Sequence, residues 1–166
     1  MSLAFKAMQF AREVHKTQVR KYTENPYADH LAEVAGIIST VVFDIIVVPE
    51  NAIAVAWLHD CVEDQDVKVS FLQSEFNTFI AEGVALLSDM ETGNRTTRKA
   101  ASRVRLASAP GWVQTIKVAD LISNTSSIVK HDPKFATVYM EEKRLLLDVL
   151  TKADPRLIEI ARNQIK

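Results

Sequence analysis

In AWLHDCVEDQ, residues 56–65, a histidine and an aspartate stand together after small and apolar residues, and Glu63 and Asp64 follow at once. Adjacent residues on a helix point about 100° apart, so His59 and Asp60 share no face. Where a helix end approaches a metal, however, they can reach it from two sides. Imidazole nitrogen with carboxylate oxygen suits divalent ions of intermediate hardness: Mn, Fe, Zn or Co. Two ligands hold a metal poorly, and the chain has only four histidines from which to add more. His30, in NPYADHLAEVA, and Asp120, in IKVADLISN, are the candidates. Asp120 interrupts an apolar segment, where a carboxylate is costly to bury unless it is paired or bound to a cation. His30, His59, Asp60 and Asp120 would surround one ion with two nitrogens and two carboxylates. Coordination positions remain for water and a phosphate oxygen, as a hydrolytic metal centre requires.

Glu63 falls one helical turn after His59, and Asp64 one turn after Asp60, so either carboxylate could take a proton from an attacking water. Asn124, one turn after Asp120, could hydrogen-bond substrate from the same face. A second His-Asp pair, His131-Asp132, precedes Pro133 and reads instead as a helix cap. Arg95, Arg98 and Lys99, in GNRTTRKAAS, could meet substrate phosphates or form a solvated helix face. Lys117, three residues before Asp120, reads as a pairing cation. His15 reads as a packing or hydrogen-bonding residue, Trp57 and Trp112 as core. Cys61 reads as a small buried residue with no histidine placed to activate it.

Helices must carry these groups. Leu3, Ala7, Phe10 and Val14 recur at helical spacing. Polar RKYTENP then breaks the pattern, and a second helix runs from Tyr27 past Ile38. VVFDIIVV is β-branched but has no partner strand, so it reads as a helix end and loop. Pro49 suits the first turn of a third helix, ENAIAVAWLHDCVED, apolar nearly all round and therefore central. Ser70 is a candidate cap for VSFLQSEF, and FIAEGVALLSD follows. A loop at ETGN leads into a basic-faced helix that Pro110-Gly111 stops. WVQTIKVADLISNTSSIVK forms a further core helix. Acid-proline pairs at Asp132-Pro133 and Asp154-Pro155 cap the last two. The expectation is an all-α bundle of about seven to nine helices, given a mean helix length of about 11–12 residues.

The 166 residues fit one domain, 1–166, with 48% hydrophobic and 25% charged residues, an ordinary globular balance. Twenty Lys and Arg against 21 Asp and Glu supply no general field for nucleic acid or an anionic membrane. One cysteine cannot form an internal disulfide, and no segment resembles a signal peptide or membrane span. These features imply a cytoplasmic protein and leave homo-oligomerisation open.

The segments AREVHKTQVRKYTENPYADHLAEVA, AIAVAWLHDCVEDQ and IKVADLISN, in that order and spacing, resemble the hallmark segments of HD-domain hydrolases of the RelA/SpoT type. The similarity covers most of residues 4–130 and continues into the C-terminal helices. That family's synthetase region is missing, so the chain resembles a stand-alone small alarmone hydrolase. The resemblance implies a manganese-dependent enzyme that removes pyrophosphate from the 3′ position of guanosine tetra- or pentaphosphate. It places the metal ligands on His30, His59, Asp60 and Asp120, and the water-activating pair on Glu63 and Asp64. Arg20 and Lys21 fall where the family contacts the base and phosphates, and Asn124 on its polar contact. Thr17 stands for the family glycine, Leu31 for the proline after the ligand histidine and Gln65 for the threonine after the acidic pair. Asn77 stands for a glycine and Ser126 for an arginine. Gln65 and Ser126 border the pocket, so the substrate could instead be a nucleoside monophosphate or the 2′-phosphate of NADPH. A nucleotide-sensing module without turnover is the remaining alternative.

Overall fold

Alanine sets the packing of the first half of the chain. The computed structural model describes residues 1–165. It resolves the chain into two compact units, Met1–Ser88 and the residues from Asp89 onward. In the first unit, α1 (Leu3–Val14) buries Ala7 and Ala11 against α3 (Pro49–Leu58), whose Ala52, Ala54 and Ala56 are likewise inaccessible. Small side chains let two helix axes approach closely. Helix α3 also packs on α2 (Tyr27–Ile38) and α6 (Thr78–Leu87), which makes it the central element its all-round apolar sequence implies. Val55 and Leu58 are fully buried. Each contributes about 1.5–3 kcal/mol, more than any exposed ion pair on this surface.

The third helix is shorter than its sequence pattern implies. It ends at Leu58, and His59 and Asp60 form a turn before the five-residue α4 (Cys61–Gln65). Asp60 sits at φ −101°, ψ −2°, the bridge conformation common in turns and at sites. Helix α4 ends at Asp66 in the left-handed region, φ 54°. α5 (Val69–Glu75) starts after Lys68, so Ser70 lies inside the helix and caps nothing. Asn77, which stands for a family glycine, caps α6 by accepting from the Ile80 N–H at 2.8 Å. Between α1 and α2 the chain doubles back through one isolated bridge, Val19 with Pro26. The Tyr27 N–H donates to the Gln18 carbonyl at 2.9 Å, and the Arg20 N–H to the Asn25 carbonyl at 2.9 Å. VVFDIIVV is a loop, and Val42, Ile45 and Ile46 face solvent.

The second unit holds α7 (Arg95–Ser108), α8 (Gly111–His131), α9 (Pro133–Val149) and α10 (Pro155–Asn163). Asp132 caps α9 by accepting from the Phe135 N–H, and Asp154 caps α10 by accepting from Arg156 and Leu157, as the acid-proline pairs imply. The buried Gln114 amide donates to the Leu106 carbonyl at 2.9 Å and accepts from the Lys152 N–H at 2.8 Å. Gly111, read as a stop for α7, in fact opens α8 at a close approach. A Cβ there would stand 2.6 Å from the Lys152 carbonyl oxygen. The described residues thus form ten helices and no extended strand. The all-α class holds, and the short α4 segment accounts for the helix beyond nine. No helix among the described residues is long and apolar enough to cross a membrane. Trp57 is buried as a core residue, while Trp112 is only half-buried.

Lys143 is the unexpected core member, 1% exposed. Its ammonium donates to Thr125 Oγ1 at 2.8 Å and to Gln164 Oε1 at 2.6 Å, joining α8, α9 and the end of α10. No carboxylate among the described residues pairs with it, and burial lowers its pKa to about 8. The folded value lies below the unfolded one, so folding disfavours the charged form. That penalty is complete below about pH 8 and vanishes as pH rises towards the unfolded value of about 10.4. Two outcomes are expected. The stability of the parent relative to Lys143→Met should rise by about 3 kcal/mol between pH 7 and 10.5 in urea unfolding. Gly111→Ala should destabilise by about 1–3 kcal/mol in the same assay, through overpacking against Lys152.

Candidate metal centre

Three of the sequence-predicted ligands converge in the first unit. His30 comes from the first turn of α2, while His59 and Asp60 come from the turn after α3. One ligand atom from each lies within 4.8 Å of the others. His30 Nε2 is 3.6 Å and His59 Nε2 3.0 Å from Asp60 Oδ2. Both imidazoles are buried, with ring centroids 5.3 Å apart in an edge-on arrangement.

The hydrogen bond behind the His59 ring defines the chemistry of this donor set. His59 Nδ1 lies 2.7 Å from the Ala56 carbonyl oxygen, which can only accept, so Nδ1 carries the proton. In the neutral ring the Nε2 lone pair then faces the Asp60 oxygen lone pair at 3.0 Å. A second proton on the ring or a bound cation relieves that opposition. A backbone carbonyl that holds the distal ring nitrogen is the usual support for a metal-ligating histidine. Two imidazole nitrogens and a carboxylate therefore fit a divalent metal ion.

Tyr27, which sequence reasoning passed over, donates its hydroxyl to Asp60 Oδ2 at 2.7 Å. His15, buried as expected, stacks on the Tyr27 ring at 5.2 Å and meets Gln18 Oε1 through Nδ1 at 2.6 Å. Gln65 donates to the same Gln18 oxygen at 2.6 Å. With its oxygen so engaged, Gln18 turns its amide N–H to Asp64 Oδ2 at 2.9 Å. Residue 65, read from the sequence as a departure from the family pattern that borders the pocket, thus helps to aim Asp64. The signal for Tyr27 and Gln18 was their place in QVRK and NPYADH, near the ligand and the basic pair. Burial pushes the Asp64 carboxyl up from the ordinary range, and the Asp60 charge adds to this against the Gln18 hydrogen bond. A carboxylate whose pKa is raised is a stronger proton acceptor. Glu63 is exposed on α4.

Arg20 is half-buried with its guanidinium 3.3 Å from Glu33, and Lys21 is exposed with its ammonium 5.0 Å from the Tyr22 ring centroid. In the second unit, Asp120 is 6% exposed on α8. It accepts from Lys117 at 2.8 Å, as the pairing role implies, and from Asn124 at 2.7 Å. Arg95 is committed to a two-pronged pair with Glu142, at 2.7 and 2.8 Å. Lys99 lies 3.2 Å from Asp89, and Arg98 is exposed.

The fold and this cluster define a helical metal-binding domain of the His-Asp class. The family described as HD domain matches residues 7–111, and the chain belongs to it. A Synechocystis protein named probable guanosine-3′,5′-bis(diphosphate) 3′-pyrophosphohydrolase is 32% identical over 138 residues, 80% of this chain. The chain spans only 17% of that relative's length. A Drosophila melanogaster protein, guanosine-3′,5′-bis(diphosphate) 3′-pyrophosphohydrolase MESH1, is 27% identical over 82% of this chain and 74% of its own. Among solved structures, a metazoan ortholog of SpoT described as hydrolysing ppGpp superposes with a TM-score of 0.87 at 23% identity. That match covers 99% of this chain and 94% of the other. The lmo0812 structure from Listeria monocytogenes gives 0.69 at 20% identity, over 87% of this chain and 96% of that one.

Cys61 follows the ligand pair but is fully buried, and burial, with Asp60 and Asp64 adding, pushes its thiol far above the usual range. It should resist a disulfide reagent such as DTNB at pH 8 in the native protein. One thiol per chain should react promptly after unfolding in guanidinium.

Proposed function

We propose that the chain is a metal-dependent hydrolase of guanosine 3′,5′-bis(diphosphate), releasing pyrophosphate from the 3′ position, with both units serving one catalytic domain. The observation that carries this reading is the His30, His59 and Asp60 cluster, set in a family whose relatives bear that activity in their names. Asp120 is the fourth ligand in this reading. Its support is a carboxylate buried on an apolar helix, within a segment resembling the family's K-L-A-D-x-x-x-N. Manganese is the proposed ion, and the protein acts in the cytoplasm on a small-molecule nucleotide.

A bound divalent ion supplies Lewis acidity at the scissile phosphoryl group. The chain's own residues do the rest. Asp64, aimed by Gln18 and with its carboxyl raised by burial, accepts the proton of the attacking water. Glu63, one residue earlier on α4, shares that role. Tyr27 holds Asp60 through its hydroxyl so that the carboxylate keeps its aim at both imidazoles. Arg20 and Lys21 bind the anionic substrate, as two cations beside a short turn can. Asn124, Arg98 and Lys99 contact it from the second unit.

Purified protein with manganese should release pyrophosphate from guanosine 3′,5′-bis(diphosphate). Asp60→Asn and His59→Ala should each lower bound metal in elemental analysis and cut the rate at least about a hundredfold. Release of orthophosphate alone, from nucleoside monophosphates or NADPH, would shift the reading to a phosphatase. No turnover across divalent metals and a nucleotide panel would overturn it.

A further inference from the structure

Gln18 has a fixed backbone and a free choice at its tip. Its backbone N–H donates to the His15 carbonyl at 3.0 Å, and its own carbonyl accepts from the Tyr27 N–H at 2.9 Å. The side-chain amide can still take either of two orientations, which exchange an acceptor oxygen for a nitrogen with two donor hydrogens. Only one of them suits the proposed proton acceptor. An ionised Asp64 can only accept, so the Gln18 nitrogen must face Asp64 Oδ2, 2.9 Å away. Turned the other way, the amide would set its oxygen against the carboxylate and push it off its aim.

Two groups hold the oxygen end, and they are not equivalent. Gln65 donates to Gln18 Oε1 at 2.6 Å, but it neighbours Asp64 and is carried by the same five-residue α4. His15 meets that oxygen through Nδ1, also at 2.6 Å, from the C-terminal end of α1. Its backbone N–H donates to the Ala11 carbonyl at 3.0 Å, and its ring stacks on Tyr27 with 22° between the planes. Tyr27 is in turn bonded to Asp60. His15 therefore belongs to the frame that carries the metal cluster, not to the short helix whose carboxylate is being aimed.

The Gln18 oxygen can only accept, so His15 carries a proton on Nδ1. In the neutral ring Nε2 is then a bare acceptor, buried and without a hydrogen-bond partner among the described residues. An unmatched buried acceptor is destabilising. An aliphatic side chain would fill the place without that penalty, so the ring is there for its Nδ1 proton.

We infer that His15 is a positioning residue: its Nδ1 proton fixes the orientation of the Gln18 amide, and through that amide the aim of Asp64 at the attacking water. This role rests on the proposed function and adds a residue to it. The sequence placed His15 among packing or hydrogen-bonding side chains, and the geometry gives its hydrogen bond a task. His15 should accordingly govern turnover, and neither substrate nor metal affinity.

Substitution and spectroscopy test this separately. On guanosine 3′,5′-bis(diphosphate) with manganese, His15→Leu should lower kcat at least about tenfold while KM stays within about threefold of the parent. Manganese affinity, titrated by the paramagnetic resonance of the free ion, should stay within about the same threefold range. His15→Asn should recover most of the loss, because the asparagine nitrogen falls where Nδ1 was. His15→Gln, whose nitrogen falls where Nε2 was, should not. Equal losses in all three variants, or a parallel fall in manganese affinity, would mark a structural role and overturn the assignment. The second measurement needs no turnover. Long-range proton–nitrogen spectra of the zinc-loaded protein at pH 8 should show His15 as the Nδ1–H tautomer. The Gln18 side-chain amide signals should move in His15→Leu. An Nε2–H tautomer would overturn the assignment even in an active hydrolase. The Nδ1–H tautomer with that movement, in a protein that hydrolyses no nucleotide, would uphold the arrangement and remove the proposed activity. Should His15→Leu fail to fold by circular dichroism, the tautomer and the contrast between Asn and Gln still decide.

Discussion

A carboxylate held between two buried imidazoles is the constraint on which the first unit is built. Asp60 points one oxygen at His30 and His59, and the His59 ring is locked by the Ala56 carbonyl with its other nitrogen towards that oxygen. Burying such a set without a proton or cation between the lone pairs is unfavourable, so its persistence inside an otherwise apolar core needs scaffolding. The scaffold is alanine. Ala7 and Ala11 of α1 and the alanines of α3 let the helices close on one another. The end of α3 is thereby fixed against the start of α2, where His30 stands.

The polar groups around that cluster are coupled. Tyr27 links Asp60 to the stacked His15, His15 meets Gln18, and Gln18 reaches Asp64 while Gln65 holds its far side. A substitution at residue 65 therefore bears on the geometry of the proposed proton acceptor without touching a ligand. The glutamine found there in place of the family threonine is long enough to reach Gln18, which makes the departure a local solution to aiming Asp64.

The second unit handles buried polarity differently. Gln114 uses its amide to tie the end of α7 to the loop before α10, and Lys143 uses its ammonium to tie α8, α9 and the end of α10. The first is neutral and fully bonded. The second leaves a charge in the interior, a cost to stability that raises the positive potential beside Asp120 and Asn124. The unit thus combines a carboxylate suited to a metal with cations suited to phosphate.

Much of this was legible in the chain itself. Helical periodicity, acid-proline caps and the near-absence of strand partners determine an all-α protein. The residue types at His30, His59, Asp60 and Asp120 determine which groups can bind a metal, because few histidines and few carboxylates on apolar helices were available. Tertiary structure alone decided where the third helix breaks, since the turn at His59 and Asp60 depends on packing that periodicity does not record. It alone showed Tyr27, Gln18 and Gln65 meeting residues dozens of positions away, with Gln18 meeting three partners at once. It alone left Lys143 buried without a carboxylate partner among the described residues: charge pairing depends on which side chains meet across helices, and spacing along a single helix reports only one of the two partners. The opening dipeptide named two candidate ligands, and the fold supplied their orientation.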